Sequence, residues 1–330
     1  QLRAARAARQ ALSPEQGRRR LRDDLRPKLG DIEPAPSLRS QTLWTRALSA
    51  AAVEAVRLEV EDGIAVPLLL IRPAGRTPAP VVVAVAQDGK ERLLSDRAED
   101  IAGLLRAGVA VCLPDLRGTG ETAPGSDRGD GGPHHSLAQM EFDLGNSLLG
   151  ARLKDLRTVL AWLRGRPDLD RSRLALWGDS FAPPNPRHLF LDELQLEGGP
   201  QTQYRAEPLG AHLALLAALY EDDIRAVAAQ GGLAGYLTVL DDAFTYTPID
   251  VIVHGLLQVA DIADIAAALA PRPQLLQGFV NGRNVRLDSG ELDQTLRPAG
   301  QAYRDLRAAN QLTLRAQPEN VTAWLVGHLR

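Results

Sequence analysis

The stretch Arg173–Arg187, "RLALWGDSFAPPNPR", decides the fold. Its first five residues are an apolar run of the length and composition of a buried strand. Gly178-Asp179-Ser180-Phe181-Ala182 follows, a tight turn carrying a serine. Three prolines then stand where such a turn normally feeds a helix, and proline breaks helices. The pattern Gly-x-Ser-x-small reads as a nucleophile elbow. Small residues two before and two after the serine let the chain turn sharply and lift the hydroxyl clear of the sheet. In that reading Ser180 is the nucleophile and Ala182 takes the second glycine's place. The alternative is an ordinary serine in a proline-rich loop.

Strands and helices alternate on both sides of this stretch. "VEAVRLEVEDGIAVPLLLIRP" (53–73) is a hairpin around Asp62-Gly63. Strands follow at 81–86, 109–114, 173–177, 226–230, 273–280 and 312–316. Helices are expected at 97–108, 149–165, 209–220, 263–270, 295–309 and 320–329. Short continuous apolar strands between helices imply a mostly parallel central sheet with helices on both faces. Residues 1–47, rich in Arg, Ala and Glu with a Ser-Pro helix start, are expected to be an N-terminal helical extension. Residues 48–330 are expected to form the α/β domain. If the elbow's helix is "PLGAHLALLAALY", then about 183–208 is an inserted wall or lid, with a short helical centre at "LFLDELQ" and with Phe190 and Tyr204 at the mouth of the site.

In such sheets reactive groups sit just past the carboxyl ends of the strands. The backbone N–H of Phe181 and a second amide near Gln87-Asp88-Gly89 are therefore the expected oxyanion donors. "PDLRGTGET" (114–122), "DLRTVLAWLRGRPDLDRSRLALWGDS" (155–180) and "ALAPRPQLL" (268–276) resemble the α/β-hydrolase superfamily. They look like the Asp-x-Arg-Gly-x-Gly turn after its fourth strand, the run into its nucleophile and the lead-in to its acid-bearing strand. Within it the chain resembles the acetyl xylan esterase-like and dipeptidyl-peptidase-like esterases, over Val53 to Arg330. The resemblance implies a serine esterase with small-molecule or carbohydrate ester substrates, acting through an acyl-enzyme, with no cofactor.

The remaining triad members depart from the pattern that the resemblance implies. Asn281 stands where the acid is expected, and Asp288 farther along that loop is the candidate substitute. The loop expected to carry the histidine contains none. His254, in a segment where the superfamily places lid elements, and His188, just after the elbow, are the candidate bases. His212 is expected to pack or cap within its helix and His328 to lie at a helix end. His134 and His135 form a pair in a Gly-rich loop without the carboxylate or Cys spacing of a metal site, and no metal is expected. These departures motivate a second reading, an α/β-hydrolase scaffold without a working triad that acts as a binding or interaction module.

Composition bounds the rest. Of 330 residues 45% are hydrophobic and 24% charged, with a net charge of −3, so no global charge points to nucleic acid or an acidic membrane surface. Lysine occurs only at Lys28, Lys90 and Lys154. The basic cluster Arg18–Arg20 is expected on a solvated helix face, and Arg-Gly-Asp at 128–130 is a chance match. Cys112, in an apolar run, is expected to be a buried thiol. No apolar run is long enough for a membrane span. The start at Gln1 is compatible with a trimmed chain, secreted or periplasmic if a signal peptide has been removed. Compartment and oligomeric state stay open.

Overall fold

The computed structural model describes residues 1–75, 77–124, 133–187, 204–243 and 245–330. The chain opens with two helices, α1 (Leu2–Gln10) and α2 (Pro14–Leu29). Ser13 accepts the amide of Gln16 and Gln16 reaches back to the Ser13 amide, a reciprocal cap with Pro14 at the first helical position. Leu21, Leu25 and Leu29, spaced every fourth residue, bury one stripe of α2. Arg18 donates to the carbonyls of Ala268 and Ala270, so it anchors the helix to the domain where a solvated face was expected.

Strands β1 (Arg39–Ala47), β2 (Ala51–Glu61), β3 (Ile64–Pro73) and β4 (Ala79–Ala86) follow. Beyond them come α3 (Lys90–Asp96), α4 (Ala98–Arg106), β5 (Ala110–Pro114), α5 (Pro133–Asp143), α6 (Leu148–Arg164) and β6 (Leu169–Asp179). The chain continues through α7 (Leu209–Tyr220), β7 (Ile224–Gln230), α8 (Ile262–Ala268) and β8 (Gln274–Gln277). It closes with α9 (Ser289–Thr295), α10 (Arg297–Asp305), β9 (Leu312–Arg315) and α11 (Thr322–Leu329). The described strands form one sheet in the order β1-β2-β3-β5-β4-β6-β7-β8-β9. Pairing is antiparallel through β1, β2, β3 and β5, and parallel from β5 onward.

The hairpin at Asp62-Gly63 is present, with Glu61 opposite Ile64 and Gly63 at φ 74°. Residues 39–47 are not helical. They form an edge strand exposed along its whole length, with a register shift between Thr42 and Trp44. Alternate side chains of β4 serve the two faces of the sheet. Val81, Val83 and Val85 join a core with α2, α6, α7 and α8, whereas Val82, Ala84 and Ala86 join one with α4 and α11. Cys112 is fully buried, and burial pushes its pKa up, so the thiol is inert packing.

The N-terminal helices and the domain share one core. Arg157 Nη1 donates to the carbonyl of Ile32 at 2.7 Å, and Thr158 Oγ1 accepts the amide of Ala35 at 3.0 Å. Gly150 on α6 lies so close to the end of α2 that an added Cβ would sit 1.8 Å from the Leu29 carbonyl oxygen. Gly150→Ala should therefore force α2 away from α6 and cost about 1–3 kcal/mol. Gly165→Ala, whose Cβ would meet only the Trp162 carbonyl at 3.4 Å, should change stability little. Urea unfolding midpoints of the two variants check this.

Candidate active site

The carboxyl ends of β4, β6 and β7 lie side by side, with Ala86 opposite Asp179 and Gly178 opposite Ala229. Ser180 is the first residue past β6. Its side chain rests against Gly231, just past β7, where an added Cβ would come within 2.4 Å of Ser180 Cβ and 2.9 Å of Oγ. Gly231 has φ 66°, a conformation suited to glycine.

The turn at Ser180 differs from the expected elbow. Among the described residues, the non-glycine residues with positive φ are Asn284 and Arg307, so Ser180 is not held in the strained backbone of a nucleophile elbow. The reason is the insertion. The chain runs on through Pro183 and Pro184 and returns only at Leu209 to start the helix, so it need not reverse within two residues. The close strand–helix approach is nonetheless present, and its second glycine is Gly210, in place of Ala182. A Cβ on Gly178 would sit 2.0 Å from the Gly210 carbonyl oxygen. A Cβ on Gly210 would sit 2.4 Å from the Val85 carbonyl and 2.5 Å from that of Asp179.

The Phe181 amide, expected to be an oxyanion donor, donates to Glu207 Oε2 at 2.9 Å. Glu207 immediately precedes the helix cap Pro208, and no motif in the sequence singles it out. Burial first, and then the charge of Asp88, raises its pKa above the ordinary glutamate value. The amides of Phe181 and Ala182 and the charge of Arg92 act the other way. The Phe181 ring lies against the guanidinium groups of Arg97 and Arg92, 5.0 and 5.3 Å from its centroid. Arg97 in turn pairs with fully buried Asp179 at 2.7 Å, and Asp179 also accepts the Ser180 amide at 2.8 Å.

Gln87 follows β4 as expected, and its side chain turns inward to donate to Asp250 at 3.0 Å. Arg152, fully buried on α6, donates to the same carboxylate at 2.7 Å. The turn 115–120 is the loop's support. Asp115 accepts the Lys90 amide at 2.6 Å and the Glu121 amide at 2.9 Å. Gly89 and Gly120 leave room for its carboxylate, since a Cβ on either would lie 2.4 Å from Asp115 Oδ1.

The remaining site candidates lie in other roles. Asn281 Oδ1 accepts the amides of Arg283 and Val285, both at 3.0 Å, so it closes a turn. Asp288 is the exposed N-cap of α9, accepting the Glu291 amide at 2.9 Å, and it pairs with Arg187. His254 is exposed and meets Phe142 edge-on at 5.7 Å. His328 Nδ1 donates to the Trp324 carbonyl, 2.8 Å away, within α11. His212 is buried in α7 beside Tyr236. His188, Phe190, the segment 189–195 and the Arg-Gly-Asp match lie outside the described residues, as do the side chains of His134 and His135. Among the described residues no group of three or more His, Cys, Asp or Glu side chains is placed to hold a metal ion, and no helix is long and apolar enough to cross a membrane.

The strand order, the parallel right half of the sheet and the serine past β6 settle the architecture. The chain has the α/β-hydrolase fold. Solved structures agree over nearly its whole length. A candidate acetyl xylan esterase from Bacteroides fragilis NCTC 9343 is similar at TM-score 0.69 and 16% identity, covering 92% of this chain and 76% of that one. A glucuronoyl esterase from Solibacter usitatus is similar at TM-score 0.58 and 13% identity, covering 94% and 91%. Acetyl xylan esterase 1 from Thermoanaerobacterium sp. JW/SL YS485 is similar at TM-score 0.55 and 15% identity, covering 96% and 93%. No family model and no curated protein matches the sequence. In this hydrolase fold β2 to β9 take the places of the usual eight strands, and β1 extends the antiparallel edge.

Burial holds the pKa of His212 down at about 4, against an ordinary value of 6.5. Above pH 6.5 the ring is neutral folded or unfolded. Between pH 6.5 and 4 only the unfolded chain takes up the proton, so stability falls as pH falls through this window and levels off below it. The loss should total about 3 kcal/mol at 1.36 kcal/mol per pH unit. Denaturant titrations from pH 7 to 4 on the wild type and His212→Gln check this: the variant's slope should be shallower.

Proposed function

We propose that this chain is a carboxylic ester hydrolase working through an acyl-enzyme on Ser180, with small esters, including acetyl groups carried on carbohydrate, as the substrate class. The observation that carries the reading is the place of Ser180. It lies where β4, β6 and β7 end together, in the fold's reactive position, with the Gln87 loop on one side and Gly231 on the other. The names of the similar structures, acetyl xylan and glucuronoyl esterases, support the same chemistry. In this reading Ser180 Oγ attacks the acyl carbon, the alcohol departs, and water releases the acid. The Gln87 main-chain amide, from the loop braced by Asp115, faces the developing oxyanion.

A second reading, an ester- or carboxylate-binding module without turnover, is favoured by one specific arrangement. The Phe181 amide is already engaged by Glu207, and Asn281 and Asp288 are held in a turn and a helix cap. A fluorophosphonate probe separates the two readings. The esterase should be labelled at Ser180, lose the label in Ser180→Ala, and lose p-nitrophenyl acetate turnover by about 10³-fold or more. Absence of label and of turnover, with a control hydrolase reacting in parallel, would leave the binding module.

A further inference from the structure

Glu207 is held by backbone amides of the turn that carries Ser180. Its Oε2 accepts the Phe181 amide at 2.9 Å, and that nitrogen is bonded to the carbonyl carbon of Ser180. Bond lengths keep Ser180 Oγ within about 4.5 Å of the same nitrogen. The carboxylate and the hydroxyl are thus at most about 7.5 Å apart, a span that rotation of the two side chains shortens. Helix α7 fixes the carboxylate from the other side, because Pro208 caps it and Gly210 is wedged against Val85 and Asp179. No ion pair joins Glu207 to a cation among the ion pairs within 4.0 Å of the described residues, unlike Asp179 with Arg97 or Asp250 with Arg152.

We infer that Glu207 is the proton-transfer group of the Ser180 site, in the place that histidine holds in a Ser-His-Asp triad. The inference rests on the ester hydrolase reading above. In acylation, Ser180 Oγ bonds to the acyl carbon and its proton passes to the Glu207 carboxylate. The tetrahedral intermediate then breaks its bond to the alcohol oxygen, which takes the proton back from Glu207 and leaves as the alcohol. In deacylation, water bonds to the acyl carbon and gives its proton to Glu207. The bond to Ser180 Oγ then breaks, and Oγ recovers the proton as the carboxylic acid departs. Each half begins and ends with Glu207 ionised. Protonation also weakens the hold of the carboxylate on the Phe181 amide. That donor is released at the moment an oxyanion forms beside it.

The charged groups facing Glu207 are Asp88 and Arg92 from the segment after β4, and Arg97 lies behind the Phe181 ring, held by Asp179. Burial and Asp88 favour the protonated form, which brings a carboxyl group toward the range where it can exchange protons near neutral pH.

The test is the pH profile of p-nitrophenyl acetate hydrolysis and of fluorophosphonate labelling at Ser180. Glu207→Gln, whose amide oxygen can still accept the Phe181 N–H, should lower kcat by about 10²-fold or more with little change in KM, and should abolish the acid limb of the profile. Glu207→Asp should recover part of the rate. Asp88→Asn removes the repelling charge, so the acid limb should move to lower pH, and this variant decides the matter if Glu207→Gln fails to fold. An active wild type whose Glu207→Gln form keeps its rate and its acid limb would overturn the inference while leaving the esterase reading intact. So would loss of turnover in His188→Ala alone. A wild type with neither label nor turnover overturns both.

Discussion

Two glycines without side chains, Gly178 on β6 and Gly210 on α7, touch backbone to backbone, and the site depends on that contact. A methyl group on either would overlap main-chain atoms of the other element or of β4. Because the contact is that close, the start of α7 is held beneath the ends of β4 and β6, and whatever precedes Leu209 must emerge beside Ser180. Glu207, two residues before it, is the carboxylate brought there. Nearly every residue of α7 from Leu209 to Leu219 is fully buried, so the helix has no freedom to swing away. The insertion that separates Ser180 from Leu209 in sequence leaves their spatial relation in place and removes only the need for a strained turn.

The electrostatics of this edge follow from burial. Asp179 and Asp250 are buried and each is held by an arginine, Arg97 and Arg152, with additional hydrogen bonds from the Ser180 amide and the Gln87 side chain. Such pairs return little net stability once desolvation is counted. Their effect is to fix geometry: Arg152 ties α6 to the 250 segment, and Gln87 ties the β4 loop to the same carboxylate. Removing one partner would leave the other charge buried alone, at a cost of about 3–5 kcal/mol. Glu207 is treated differently. Burial and then Asp88 raise its pKa, and the amides of Phe181 and Ala182, with no paired arginine at its oxygens among the described ion pairs, oppose them.

The parallel half of the sheet was legible because its strands are short apolar runs bounded by turn residues, and the Asp62-Gly63 hairpin because Gly63 supplies the positive φ its turn demands. β1 was not legible. All nine of its positions are exposed, so hydrophobic alternation, the signal by which a strand is read, is missing. Ser180 was singled out by the Gly-x-Ser-x-small pattern and its strand end, and the Gln87 loop by its place after a strand. Gly210 was missed as the second glycine because the pattern is defined on adjacent residues, and the insertion moves its last member far along the chain while Ala182 fills the local slot. Asp288 carried a readable signal for another role: Asp-Ser-Gly-Glu is the spacing of a helix cap closed by its third residue. Asn281, followed by Gly282, similarly carried the signature of a turn.

The loops after β8 and β9 have a structural role of their own. Gln277, at the end of β8, donates to Gln230 and to the carbonyl of Glu319, which fastens the segment after β9 down to the sheet. That segment runs across the strand ends without presenting a histidine, and Asn281 spends its side chain on its own backbone. Besides Asp179, which Arg97 holds, the carboxylate bonded to the turn at Ser180 is Glu207, two residues before α7. At the amino end of α7 the helix dipole favours the ionised form of Glu207, in opposition to burial and Asp88. Burial is the largest of these influences and raises the pKa of Glu207. A raised carboxylate pKa suits a group that must take a proton and return it within one reaction cycle.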